Sequence, residues 1–212
     1  MDWIDKLERK YRRLCIPNLM KIVVFGQLAV WLTVMLLDQR VYFMLTLTRS
    51  GLMHLQLWRL VSFIFVPSLT TNPLLFALEL YLYYVIGNSL EQHWGSFRFN
   101  VYYLVGMLGA VASCMLTGMA DSSALNLSLF FAFAALYPEM QFLLFFIIPV
   151  KVKWLGAIAA VMYLLDFLVG GFSTKIALLF GLANFLLFFG PRLKREYDNY
   201  KRRKAWQDQW RG

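Results

Sequence analysis

Long apolar runs separated by short polar breaks dominate the chain. About 20 residues at ~1.5 Å rise each cross a hydrocarbon layer of roughly 30 Å. Apolar runs of 14 to 21 residues fall at 19–37, 73–86, 97–117, 123–137, 154–169 and 176–190, and the pattern predicts six spans. Pro17-Asn18, Asn72-Pro73, Pro138, Gly170-Gly171 and Pro191 mark boundaries, because proline and glycine interrupt helical hydrogen bonding. Ahead of the first span, Trp3, Ile4, Leu7, Tyr11, Leu14 and Cys15 share one helical face. Lys6, Arg9, Lys10, Arg12 and Arg13 occupy the rest, so an interfacial amphipathic helix is expected. The expected organisation is this helix over 1–17, a six-span membrane domain over 18–191, and a basic tail over 192–212.

Two segments fit neither class. Residues 38–59 mix apolar positions with Arg40, Arg49 and His54, and read as a loop lying partly in the interface. Trp58 and Arg59 end it, where an aromatic ring and a snorkelling cation are favoured. Residues 142–150 form an apolar run interrupted by Pro149, too short to cross, and read as a re-entrant or interfacial segment.

Composition supports the bilayer as solvent. Of 212 residues, 60% are hydrophobic and 16% charged. Soluble domains carry about 45–50% apolar and about 25% charged residues. The net charge of +9 is explained by position rather than by nucleic acid. With six spans, seventeen of the 21 Lys and Arg residues fall on the side of the two termini. The positive-inside bias then places both termini in the cytoplasm. Cys15 and Cys114 lie in unlike settings, and no disulfide, metal site or cofactor is expected. His54 and His93, the only histidines, read as surface residues outside the spans.

Within the spans a few polar residues stand out. Glu79 is costly at membrane depth. It reads as a carboxyl packed inward against Asn126, Ser128 or Asn184, or as a functional group. Asn126 and Asn184 read as helix-bridging amides. Gly106, Gly109, Ala110 and Ser113 give the third span a small face for close packing.

The stretch after the second span reads as a hinge. An apolar helix is expected to stop at Gly87, a turn carries Leu90 and Glu91, and a new run starts behind Gly95-Ser96, Arg98 and Phe99. This Gly-x-x-Leu-Glu-x-x-x-Gly-Ser-x-Arg-Phe pattern, together with Trp58-Arg59, resembles the rhomboid superfamily of intramembrane proteins, and Derlins distantly. The segment 143–154 is similar to the one that opens the fifth span in bacterial members, which implies a plasma membrane.

The resemblance implies a six-span rhomboid-like all-α bundle, and also what an active member needs. A serine in Gly-x-Ser-Gly attacks, a histidine on span six takes its proton, and a histidine and an asparagine on span two hold the oxyanion. Those positions fall here at Ser123, Leu178, Leu75 and Glu79. Ser123 sits in Asp121-Ser122-Ser123-Ala124 without either glycine, and no histidine follows His93. A serine hydroxyl without a base is a weak nucleophile, and Asp121, Ser122 or Ser123 suits a helix N-cap. The expectation is therefore a pseudoprotease that binds transmembrane clients, with Glu79, Asn126 and Asn184 as contacts. The alternatives are an intramembrane serine endopeptidase using Ser123 with another base, and a small proton-coupled transporter centred on Glu79.

Overall fold

Asn72 opens a 22-residue helix by capping it. Its Oδ1 accepts from the Leu74 N–H at 2.9 Å, and Pro73 occupies the first turn, where its missing N–H costs nothing. Such local rules organise the computed structural model, which describes residues 8–11, 15–67, 72–144 and 148–209, with the backbone alone at 143, 144, 148 and 191–209. In chain order the elements are α1 (Leu19–Leu36), α2 (Arg40–Leu45), β1 (Leu47–Thr48), α3 (Arg49–Met53) and α4 (Arg59–Ser62). A 3-10 turn (Phe63–Phe65) follows, then α5 (Pro73–Trp94), α6 (Ser96–Thr117), β2 (Met119–Ala120) and α7 (Ser123–Leu136). The chain continues as β3 (Gln141–Leu144), β4 (Ile148–Lys151), α8 (Val152–Val169) and α9 (Phe172–Gln209).

Among the described residues, five helices are long and apolar enough to cross a membrane: α1, α5, α6, α8 and the part of α9 up to Gly190. The remaining expected span, the fourth, is α7, which has only 14 residues. It lies at the centre instead, packed against α5, α6, α8 and α9, with Leu125, Leu129, Ala132 and Phe133 at most 2% exposed. The other helices present apolar side chains outward, α8 most of all through Trp154, Ile158, Val161, Met162 and Leu165. That surface is matched to lipid rather than water.

Several expected boundaries move. α5 does not stop at Gly87 but runs on to Trp94, and the break is Gly95 at φ +83°. Gly87 is buried because α1 lies against it; a Cβ there would sit 2.2 Å from Met20 Cγ. His93 therefore lies in the last turn of α5, exposed, with its ring edge on Tyr137. Pro191 does not end α9, which continues to Gln209. One lost backbone bond does not break a helix whose remaining bonds hold. The segment 142–150 is part of an antiparallel β-hairpin, β3–β4, with Phe142 opposite Val150. Lys151 and Lys153 clamp it to Glu139 at 2.7 and 2.6 Å. Of the expected N-terminal amphipathic helix, residues 8–11 are helical and most of the rest lies outside the described residues.

The loop between α1 and α5 is folded. β1 pairs with β2, Leu47 opposite Ala120, which ties this loop to the end of α6. Arg59 does not snorkel. Its Nη1 donates to the Phe43 and Thr46 carbonyls, and its Nε donates to Gln56 Oε1 at 2.6 Å. Gly51 gives the stem room, since a Cβ there would meet Arg59 Cδ at 2.6 Å. Trp58 beside it is exposed.

At the opposite end of the bundle, Glu91 Oε1 accepts from the Asn18 N–H at 2.8 Å and from the Ser96 hydroxyl at 2.6 Å. It thereby serves the N-termini of α1 and α6 together. Leu90 and Phe99 fill the core beneath it, and Arg98 pairs with Glu8 at 3.4 Å.

Candidate functional site

The polar residues of the spans gather around the first turns of α7. Ser128 is the knot. Its hydroxyl donates to the Leu125 carbonyl at 2.8 Å and accepts from Tyr102 Oη at 3.1 Å and from Asn184 Nδ2 at 3.3 Å. One side chain thus links α6, α7 and α9. Asn126 Nδ2 reaches Ser122 Oγ at 3.5 Å. On α5, Glu79 is half-buried and interacts with Tyr83 one turn on, and Tyr83 also faces Asn126. Across from them Gln27 of α1, 2% exposed, donates to the Ile64 carbonyl at 3.0 Å.

Two cavities open beside this cluster. The smaller, about 280 Å³, is lined by Gln27, Glu79, Tyr83, Ser122 and Asn126 among others. The larger, about 640 Å³, is lined by Gly106, Ser113, Leu178, Gly181 and Asn184 among others, and reaches Asp166 at the end of α8. Tyr42, Asp121 and Ser123 line both. Gly106 and Gly181 shape the larger one by letting helices approach closely; a Cβ at Gly106 would meet Leu125 Cδ1 at 2.1 Å. Burial pushes the Tyr42 phenol above its ordinary value, and the negative charge of Asp121 pushes it the same way.

The structure places the sequence candidates unevenly. Ser123 and Leu178 line the same cavity, and Ser123 and Glu79 share the other. Leu75 lies on the exposed face of α5, 46% exposed, and lines neither. Ser123 is not the cap of α7. The N-cap residue is Ser122, which makes no side-chain cap bond, while Asp121 Oδ1 accepts from the Ser123 N–H at 3.0 Å. Among the described residues, no histidine, lysine or arginine lines either cavity. Glu79 and Asn126 meet through Tyr83, whereas Asn184 belongs to the separate Ser128 knot. The sequence reading missed Gln27, Tyr42 and Tyr83. An isolated amide inside an apolar span, and a tyrosine four residues after a buried acid, were the available signals.

Among the described residues, four buried side-chain polar atoms have no hydrogen-bond partner: Tyr103 Oη, Ser113 Oγ, Asn126 Oδ1 and Asn184 Oδ1. Unpaired polar atoms inside a protein are uncommon and call for a reason. Ser113, Asn126 and Asn184 line the cavities, so a guest there could complete their bonding. No group of three or more metal-ligating side chains occurs among the described residues.

Five membrane-length helices around a short buried one define an integral membrane protein built as a helical bundle, with two cavities, together the chamber, beside its buried polar cluster. Comparison of the chain with models of protein families, with curated proteins and with solved structures finds no match.

Proposed function

We propose that this protein is a rhomboid-like pseudoprotease, six-span in architecture with α7 as the short fourth span, which binds membrane-spanning client segments and does not hydrolyse them. The observation that carries this reading is the composition of the chamber. Ser123 and Leu178 both line it, and Leu178 stands where the resemblance expects the proton-accepting histidine. A serine oxygen attacks when a base in hydrogen-bond reach removes its proton, and a leucine cannot do that. What the chamber does offer is cavity volume and buried amides with open valences, which suit recognition.

In this reading a client enters between α5 and α8, both of which pack against α7. The basic residues favour cytoplasmic termini, and the loop joining α1 to α5 then faces the exterior or lumen. Client binding would serve membrane-protein quality control or trafficking.

Photocrosslinkers placed on α5 and α8 in cells test the proposal. Crosslinks to other membrane proteins are expected, and their absence at every position would refute it. A serine-reactive phosphonate is expected to leave the protein unlabelled. Labelling that disappears in Ser123→Ala would establish hydrolase chemistry instead.

A further inference from the structure

The walls of the chamber carry charge of one sign. Glu79 and Asp121 line the smaller cavity, Asp121 and Asp166 the larger, and among the described residues no cationic side chain lines either. Two cations of the loop between α1 and α5 are directed elsewhere. Arg40 pairs with Asp38 at 3.8 Å, and Arg59 is bound to the Phe43 and Thr46 carbonyls. Acidic residues alone would define only a solvated rim. A second observation gives the chamber a ligand preference.

Asn126 and Asn184 are 8% and 4% exposed, and the atom left without a partner on each is the amide oxygen. For Asn184 this orientation is fixed by its neighbour. The Ser128 hydroxyl proton is used on the Leu125 carbonyl, so Ser128 can only accept from Asn184, and the Asn184 NH2 must face it. The vacant groups on these amides are therefore acceptors. They call for N–H donors, and the carboxylates call for positive charge. An anionic guest would be repelled, and a purely apolar one would leave the oxygens unpaired.

We infer that the chamber receives a cationic N–H donor, the ammonium or guanidinium of a lysine or arginine carried within a membrane-spanning client. The inference rests on the client-binding reading and specifies the client's chemistry. A basic residue is costly in lipid, so a helix that carries one gains most by turning it into a hollow lined with carboxylates and amide oxygens.

The test uses the full-length protein in phosphatidylcholine vesicles, with benzoylphenylalanine replacing Phe180 on the cavity wall. Guest peptides are identical single-span helices differing at one position in the half that lies level with the chamber: Lys, Arg, Gln, Leu or Glu. The Lys and Arg peptides are expected to crosslink roughly tenfold more than Leu, the scale of one charge-assisted hydrogen bond, with Glu lowest. Asp121→Asn keeps an oxygen for the Ser123 N–H. It is expected to cut the Lys preference severalfold while leaving the Leu peptide unchanged, and adding Asp166→Asn, the other carboxylate of the probed cavity, should remove the preference. Equal crosslinking of Lys and Leu overturns the inference and leaves client binding standing. Equal crosslinking of Lys and Gln also overturns it, because donors without charge would then suffice. Loss of the Lys preference on adding phosphatidylethanolamine would assign the ammonium to a lipid headgroup and overturn the client as its source. Crosslinking of no peptide overturns both readings.

Discussion

The Ser96 hydroxyl donates to Glu91 Oε1 at 2.6 Å, and the same oxygen receives the Asn18 N–H at 2.8 Å. One carboxylate therefore stands at the positive ends of two helices, α1 and α6, where unpaired N–H groups and the helix dipoles favour a negative charge. Glu91→Ala removes both bonds and should cost about 2 kcal/mol of stability, and Glu91→Gln about half as much. Unfolding titrations in mixed detergent check both values.

Ser128 holds Tyr102 and Asn184 to α7. Ser128→Ala leaves a buried phenol and a buried amide without their shared acceptor. Hydrogen bonds between membrane helices are individually modest, so the expected loss is about 0.5–2 kcal/mol. The double-mutant cycle Ser128→Ala with Asn184→Ala should show coupling, and strict additivity would refute the linkage.

A Cβ at Gly181 would lie 2.9 Å from the Ala124 backbone oxygen, whereas one at Gly171 meets nothing within 4 Å. A backbone carbonyl cannot rotate aside as a side chain can. Gly181→Ala should therefore destabilise by about 1–3 kcal/mol. Gly171→Ala should change stability by less than about 0.5 kcal/mol. Thermal melting of the two purified variants separates them.

Arg59 serves acceptors on Phe43, Thr46 and Gln56 with one planar fork. A lysine offers a point charge without that geometry. Arg59→Lys should loosen the loop between α1 and α5. Limited proteolysis of membranes should then cut between residues 38 and 58 faster than in the wild type, with the transmembrane fragments intact.

Hydrogen bonds from Lys151 and Lys153 lower the Glu139 carboxyl from 4.5 to about 2. A group depressed on folding lends its stabilisation above its unfolded value and loses it as pH falls toward the folded one. The β3–β4 hairpin should therefore loosen between about pH 4.5 and about pH 2. The ion pairs are solvent-exposed, so the effect is local. Amide exchange at Phe142 and Val150 should rise with acid in the wild type, and Glu139→Gln should show the fast rate already at neutral pH.

The spans were legible because apolar length alone identifies a segment that lipid must surround. Their ends were less so. Gly87 and Pro191 read as breaks, yet both lie inside helices. An interrupted backbone in lipid has no water to bond, and at Gly87 the glycine serves the approach of Met20 instead. The hairpin at 141–151 was hidden because its strands are apolar on both faces and lack alternation. β1 and β2 pair two residues each across more than seventy positions, and no local period announces that. In the chamber, Glu79, Asn126 and Asn184 were visible as polar residues in apolar runs. Their division into two networks depends on which helices touch, which one chain of letters does not state.

α7 has 14 residues, about 21 Å of helix at ~1.5 Å per residue, against roughly 30 Å of hydrocarbon. With its far end level with the opposite headgroups, its polar first turn would open beneath the near ones, beside the folded loop that Arg59 pins in place. Water following the polar side chains to that point would carry a high dielectric into the depth of the bilayer. A charge crossing the lipid sideways would meet aqueous conditions there without having to surface.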